Sequence, residues 1–194
     1  MFWNKKVIDK IYMGCGDDYK DDYVGCDVRK TETAKIICKA WELSKYCKNV
    51  GEIYSRHMVE HLTYMEFDAT LKDWYKTLNG GGKLHIICPD LDFHIEQLKN
   101  AIFDEKNFNN KWSNFSHGVA GLYGWQRECD INNKDTKTKY WDVHKSGYNK
   151  EIMYFYLNRN GFRDIDIKTV DKWHLVAVGY KNVRQIGLFY RNNI

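Results

Sequence analysis

Two glycines and an acid carry the first chemical signal in this chain. Ile11-Tyr12-Met13-Gly14-Cys15-Gly16 reads as a strand running into a glycine-containing turn, and Asp27 follows 13 residues after Gly14, near the end of the next apolar segment. In nucleotide-binding α/β sheets such glycines let the backbone approach a ligand, and the acid accepts hydrogen bonds from ribose hydroxyls. An ordinary turn beside a solvated strand end would share the local pattern. A dinucleotide fingerprint would need a third glycine, a full helix and an acid about 20 residues onward; the chain has none of these. Only nine residues, Gly14 to Asp22, separate the two strands, against the roughly 10–12 of a full helical crossover. Either the first helix shrinks to about one turn or the second strand lies elsewhere.

Around this signal, strand-like and helix-like segments alternate, the pattern of a mostly parallel sheet with helices on its faces. Strands are expected at Lys10–Met13, Tyr23–Val28, Ala34–Cys38 and Glu52–Ser55. Thr63 and Glu66 then fit a capping box, each satisfying a backbone donor of the other. Phe67, Leu71, Trp74, Tyr75 and Leu78 recur on one face of the helix that follows, and Asn79-Gly80-Gly81-Gly82 is expected to stop it. Leu84–Cys88, bounded by glycines and by the chain's single proline, reads as a central strand. Residues 91–148 are less regular, with Asn and Lys clusters, and are expected to be loops that meet substrate. A helix from Asn149 to Asn160 closed by Gly161, and strands at Asp164–Lys168 and Leu175–Tyr180, complete the pattern. Gln185–Tyr190 reads as an edge strand or a tail.

The chain of 194 residues is long enough for one α/β domain over 1–194 and short for two. Hydrophobic residues at 43% and charged residues at 29% exclude disordered and fibrous classes. A net charge of +4, with both signs interspersed, gives no dense basic stripe, so nucleic acid is disfavoured as a partner. No apolar run reaches the roughly 18 residues of a membrane span, and no secretory h-region is seen, so a cytoplasmic protein is expected. The six cysteines form no C-x-x-C pair and are expected to be reduced and mostly buried.

In these segments the sequence resembles the class I S-adenosylmethionine-dependent methyltransferases, in particular a short bacterial subgroup often found near glycan biosynthesis functions. Tyr12-Met13-Gly14-Cys15-Gly16 looks like the family's first motif, and Gly25-Cys26-Asp27-Val28 like its acidic second; the abbreviated crossover between them is typical of the subgroup. Glu52 to Leu62 is similar to the segment around the end of the fourth strand, and Leu78 to Leu84 to the turn into the fifth. The resemblance implies a Rossmann-like α/β fold, with a mostly parallel central sheet and an antiparallel C-terminal strand. It implies S-adenosyl-L-methionine as cofactor, with Tyr12, Gly14, Cys15 and Gly16 beside its methionine part, Asp27 and Val28 at the ribose, and Ser55, Arg56 and His57 facing the sulfonium. Lys39, Ala40 and Trp41 fall where the adenine is expected. Related sequences usually carry an Asp where Lys39 stands, and a lysine cannot accept a hydrogen bond from the adenine amino group. Backbone groups or stacking on Trp41 would have to serve instead.

A small-molecule or glycan acceptor, methylated at a hydroxyl, needs a base as well as alignment. His57 is the first candidate, because it follows the fourth strand and imidazole titrates near neutrality; His144 is the second, with helix capping as its other reading. Asp90 and His94, at the carboxyl edge of the fifth strand, and Tyr123 and Trp125, in an aromatic and polar stretch, are candidate acceptor contacts. His57-Met58-Val59-Glu60-His61 also spells the inverted zinc-protease pattern. That chemistry needs one helix through both histidines, yet a strand is expected to end two residues before His57. No metal site is therefore expected, and Glu60 and His61 read as helix-start residues bonded to neighbouring backbone. A non-catalytic cofactor-binding or scaffold subunit, and a nucleic-acid methyltransferase, remain as alternatives.

Overall fold

The computed structural model describes residues 8–126, 132, 134 and 140–183. Strands β1 (Lys10–Met13), β2 (Val24–Asp27), β3 (Ala34–Ile37), β4 (Val50–Arg56), β5 (Leu78–Pro89), β6 (Arg163–Val170) and β7 (His174–Tyr180) form one sheet in the order 3-2-1-4-5-7-6. The first five run parallel, and β7 lies antiparallel between β5 and β6. Both antiparallel pairings are made by β7, the antiparallel C-terminal strand expected from the sequence. The strand order reverses between β1 and β4, the topological switch point at whose carboxyl edge open α/β sheets bind ligands. Among the described residues no helix is long and apolar enough to cross a membrane.

The ten residues between β1 and β2 contain no helix, yet β2 sits within the segment where the sequence places it, with Ile11 paired to Val24 and Met13 to Cys26. Of the two sequence alternatives, a misplaced strand is excluded, and the helix is reduced to turns. This has a cost in packing. One face of the sheet is covered by α1 (Tyr64–Thr77) and α5 (Lys150–Arg159): Phe67, Leu71, Trp74, Met153 and Leu157 bury against Ile11, Met13, Ile53, Leu84 and Ile86. Each of the larger side chains contributes about 1.5–3 kcal/mol by leaving water. The other face carries a smaller cluster of Tyr12, Cys15 and Tyr54, with Tyr23, Ala34 and Ile87 packed against it, all from strands and loops. Lys20 lies over it, its Nζ 4.9 Å and 4.6 Å from the ring centroids of Tyr23 and Tyr54. A lysine stem and its charge cover aromatic surface in place of a helix.

Helix α1 begins as its capping box predicts: Glu66 N–H donates to Thr63 Oγ1 at 3.2 Å and Thr63 N–H to Glu66 Oε2 at 2.8 Å. The glycine run does more than stop the helix. Leu78 pairs at once with Val50, residues 79–82 bulge out, and the ladder resumes at Glu52 and Lys83. Residues 91–148, expected to be loops, instead carry α2 (Leu91–Lys99), α3 (Glu105–Phe108) and α4 (Asn114–Tyr123). Asp90, Asp104 and Ser113 cap them, each accepting from a backbone N–H in the first turn. The stretch Gly121–Gln126, expected to be a loop, begins in the last turn of α4. The helices are short and their stripes are diluted by Asn and Lys, which hides the period. Cys15, Cys26, Cys38, Cys47 and Cys88 are free thiols; Cys129 and Gln185–Tyr190 lie outside the described residues.

His94 on α2 is 3% exposed, packed under Gly121 of α4. Its Nδ1 lies 3.0 Å from Gln97 Oε1, and the His117 ring centroid is 5.0 Å away. Burial, and then the neighbouring His117, push its pKa down from 6.5 to about 4. The folded state therefore holds His94 neutral while the unfolded chain takes up a proton. Stability should fall as pH drops from about 6.5 and level off near 4. Urea midpoints measured across that window should show this slope in the wild type and a flatter one in His94→Gln. In the same assay at neutral pH, Thr63→Ala should cost about 1 kcal/mol, and the exposed Met65→Ala less than about 0.5 kcal/mol.

Candidate functional site

The carboxyl ends of β1, β2, β3 and β4 open onto one cavity of about 720 Å³, within the roughly 300–1,000 Å³ typical of small-molecule sites. Its first wall is the turn after β1. Gly14 and Gly16 have φ of 72° and 53°, in the left-handed region that favours glycine. A Cβ at Gly14 would overlap the Met58 side chain. Gly14 N–H donates to the Cys26 carbonyl at 2.7 Å, which binds the turn to the end of β2.

Asp27, 5% exposed, completes that wall. Its Oδ2 accepts from Gly16 N–H at 2.9 Å, and its Oδ1 from Arg29 N–H at 2.8 Å and Arg29 Nε at 3.2 Å. Three donors hold the carboxylate in place and leave acceptor capacity on its two oxygens. Beyond β3, Lys39, Ala40 and Trp41 line the cavity, with Lys39 Nζ 5.6 Å from the centroid of the Trp41 ring. The 3₁₀ turn Ala40–Lys45 that carries them is pinned from α1, where Trp74 Nε1 donates to the Ala40 carbonyl at 3.0 Å and Asp73 accepts from Ser44 N–H at 2.9 Å.

The opposite wall is built around β4. His57 has φ of 48°, a strained conformation for a non-glycine residue, held by its N–H donating to the Ile87 carbonyl at 2.9 Å. Its Nδ1 lies 3.2 Å from Glu60 Oε1, and its Nε2 lies 3.2 Å from His174 Nε2. Glu60 is 2% exposed, and its Oε2 has no hydrogen-bond partner. Burial works to raise this carboxyl, but the His57 hydrogen bond and the neighbouring His61, His57 and His144 hold it below the usual carboxylate range. His144 is shifted down, chiefly by burial. The 3₁₀ turn Val59–His61 is laced to the segment before α5: Lys145 and Ser146 donate their N–H groups to the Glu60 carbonyl at 2.8 and 3.2 Å. Tyr140, Trp141 and Lys145 line the cavity here, and the Arg29 guanidinium sits 5.1 Å from the Trp141 ring centroid.

Of the residues singled out from sequence, Gly14, Asp27, Val28, Lys39, Ala40, Trp41 and His57 meet at this cavity. Cys15 and Gly16 belong to its turn, while the Tyr12 ring points to the other face of the sheet and lines a smaller cavity with Lys20 and Tyr23. Ser55 is wholly buried, with an unpartnered Oγ, and Arg56 is exposed; neither lines the large cavity. His144 stands behind the wall, its ring centroid 5.0 Å from that of His61.

The four acceptor candidates do not reach the cavity. Asp90 is engaged as the cap of α2 and by Thr169 Oγ1 at 2.7 Å, and His94 is buried between helices. Trp125 packs against Trp112 and His117, and Tyr123 is exposed. Residues missed from sequence are Arg29, Met58, His61, Tyr140 and Trp141. Nor does one helix run through both histidines of the His57–His61 pattern, since the 3₁₀ turn spans only Val59–His61.

No family model and no curated protein matches the chain. Solved structures do. An S-adenosylmethionine-dependent methyltransferase from Methanosarcina mazei aligns over 92% of this chain and 94% of its own, with a TM-score of 0.57 at 11% identity. One from Archaeoglobus fulgidus covers 91% of this chain and 87% of its own, with a TM-score of 0.56 at 14% identity. A structure described as the DhpI–SAH complex covers 91% and 78%, with a TM-score of 0.55 at 10% identity. Sheet order, reversal point and these likenesses agree: the chain has the Rossmann-like fold of the class I S-adenosylmethionine-dependent methyltransferases.

Proposed function

We propose that the chain is an S-adenosylmethionine-dependent methyltransferase acting on a hydroxyl of a small-molecule or glycan acceptor. The observation that carries the reading is the buried Asp27 carboxylate, fixed by Gly16 and Arg29 at the mouth of a cavity walled by Trp41. An acid with spare acceptor capacity suits a ribose diol, the turn at Gly14 and Gly16 brings bare backbone to the cavity, and the Trp41 ring offers a face for adenine. The residues present thus fit the cofactor, which would supply an electrophilic methyl group on a sulfonium. One of the similar structures is described as a complex with SAH.

What the chain itself has to do is bind, orient, exclude water and take up a proton. Asp27, the glycine turn and residues 39–41 bind. Tyr140, Trp141 and Lys145, across the cavity, replace Asp90, His94, Tyr123 and Trp125 as the residues for the acceptor; flat aromatic faces suit a sugar ring. His57 is the base. Its Nδ1–H donates to the Glu60 carboxylate, which orients the ring, and Nε2, which must first leave its contact with His174 Nε2, takes the proton. His144 positions this pair from behind.

The Lys39 ammonium favours a weaker-binding variant of the same reading, because it occupies the Trp41 face that adenine would use. Titration of S-adenosylmethionine by calorimetry tests the proposal. Wild type should bind, Asp27→Ala should bind at least about tenfold more weakly through loss of a charge-assisted hydrogen bond worth roughly 1.5 kcal/mol or more, and Lys39→Ala should bind about fivefold more tightly as the ring is uncovered. Equal affinity of wild type and Asp27→Ala, or no wild-type binding at roughly millimolar ligand, would overturn it. Release of S-adenosylhomocysteine across a panel of sugar nucleotides, glycans, amines, thiols and RNA then sorts the acceptor; turnover confined to RNA would refute the hydroxyl-bearing small molecule or glycan.

A further inference from the structure

Behind the His57 wall, Glu60, His61 and His144 each bring one ligand-type atom to within 4.8 Å of the others. Three features set this group apart from a chance meeting of polar side chains. The His61 Nδ1 lies 3.2 Å from the Val143 carbonyl, and the His144 Nδ1 lies 3.0 Å from the Gly121 carbonyl. A carbonyl oxygen only accepts, so each Nδ1 carries the hydrogen, and each Nε2 is left with its lone pair. Two imidazoles thus present lone pairs while their orientation is fixed by backbone acceptors, the outer arrangement that metal-ligating histidines use.

The carboxylate completes the set. Glu60 Oε1 is engaged by His57 Nδ1, but Oε2 is buried with no hydrogen-bond partner. An unpartnered carboxylate oxygen out of water is costly. Neither histidine can satisfy it while its Nδ1 is the protonated nitrogen. A cation can. We infer that Glu60, His61 and His144 form a mononuclear site for a divalent first-row transition-metal ion.

Two imidazoles and one carboxylate suit Zn²⁺, Co²⁺, Mn²⁺ or Fe²⁺, and disfavour Mg²⁺ and Ca²⁺, which take oxygen ligands. Three protein ligands leave at least one coordination position open, as in metal sites that bind water or substrate. His61 lines the large cavity, which sets the site beside the space assigned to the acceptor. An acceptor hydroxyl bound there would lose its proton more readily, with His57 as its recipient. That role rests on the methyl-transfer reading; the site itself does not.

The test uses the whole chain, stripped by dialysis against a chelator and titrated with Co²⁺ as the probe, following visible d–d absorption. One equivalent should bind without a thiolate charge-transfer band, Zn²⁺ should displace it, and added Zn²⁺ should raise the melting temperature by mass action. His61→Ala and His144→Ala, whose side chains are only partly buried, should each weaken binding more than roughly tenfold, beyond the lower bound for losing an outer partner. His117→Ala, which breaks the His94–His117 pair between α2 and α4, should leave it unchanged. Circular dichroism establishes that each variant is folded; Glu60→Gln is added only if it folds. Absence of stoichiometric Co²⁺ binding, binding unaltered in both histidine variants, or a thiolate band would overturn the site. S-adenosylmethionine affinity, read separately by calorimetry, shows independently whether the methyl-transfer reading stands.

Discussion

A carboxylate taken out of water has to be met by donors, and Asp27 meets that requirement in a way that organises half of the cavity. Its partners are backbone N–H groups from Gly16 and Arg29, so satisfying one side chain fixes two loops at once. The carbonyl of Gly16 is in turn claimed by Thr31 and Thr33 hydroxyls. Gly14 and Gly16 reach the positions this needs only because their φ values are positive. The turn after β1, the end of β2 and the loop into β3 therefore behave as one rigid unit, and the cavity takes its shape from it.

The other half of the cavity is held by a different device. The Glu60 carbonyl accepts two N–H groups from Lys145 and Ser146, and Ser146 Oγ donates to the Leu62 carbonyl at 2.8 Å. Segments some eighty residues apart are thereby sewn together edge to edge. Trp141 leans across from this seam to the Arg29 guanidinium, which also bonds Asp27. Arg29 thus touches both halves, and its position explains why a single arginine after the acid matters to the whole rim.

The parts legible in the sequence were those whose signals are local. The turn at Gly14, the acid at Asp27, the capping box at Thr63 and the stripe from Phe67 to Leu78 all state their structure within a few residues. The helices between Leu91 and Tyr123 were illegible because they are short and their apolar faces meet one another, not the sheet. Asp90, His94, Tyr123 and Trp125 were drawn to the site by their chemical types. The structure gives them other work, because capping, burial and ring packing consume those same groups. The neighbours of Glu60 were illegible for another reason: His144 arrives from more than eighty positions away, and no local pattern announces it.

The link between β1 and β2 also bears on the order in which the chain folds. Parallel strands usually close long loops before they pair, yet Ile11 meets Val24 only 13 residues away, while Lys10 must wait for Glu52, 42 residues away. Closure entropy grows with the logarithm of loop length, so the nearer pairing is favoured by about 1 kcal/mol. The half of the cavity that holds Asp27 is therefore a product of near contacts and can assemble early. The half that holds Glu60 and His144 depends on residues 145 and 146 returning to Glu60 across some eighty-five positions, and so carries the larger closure cost.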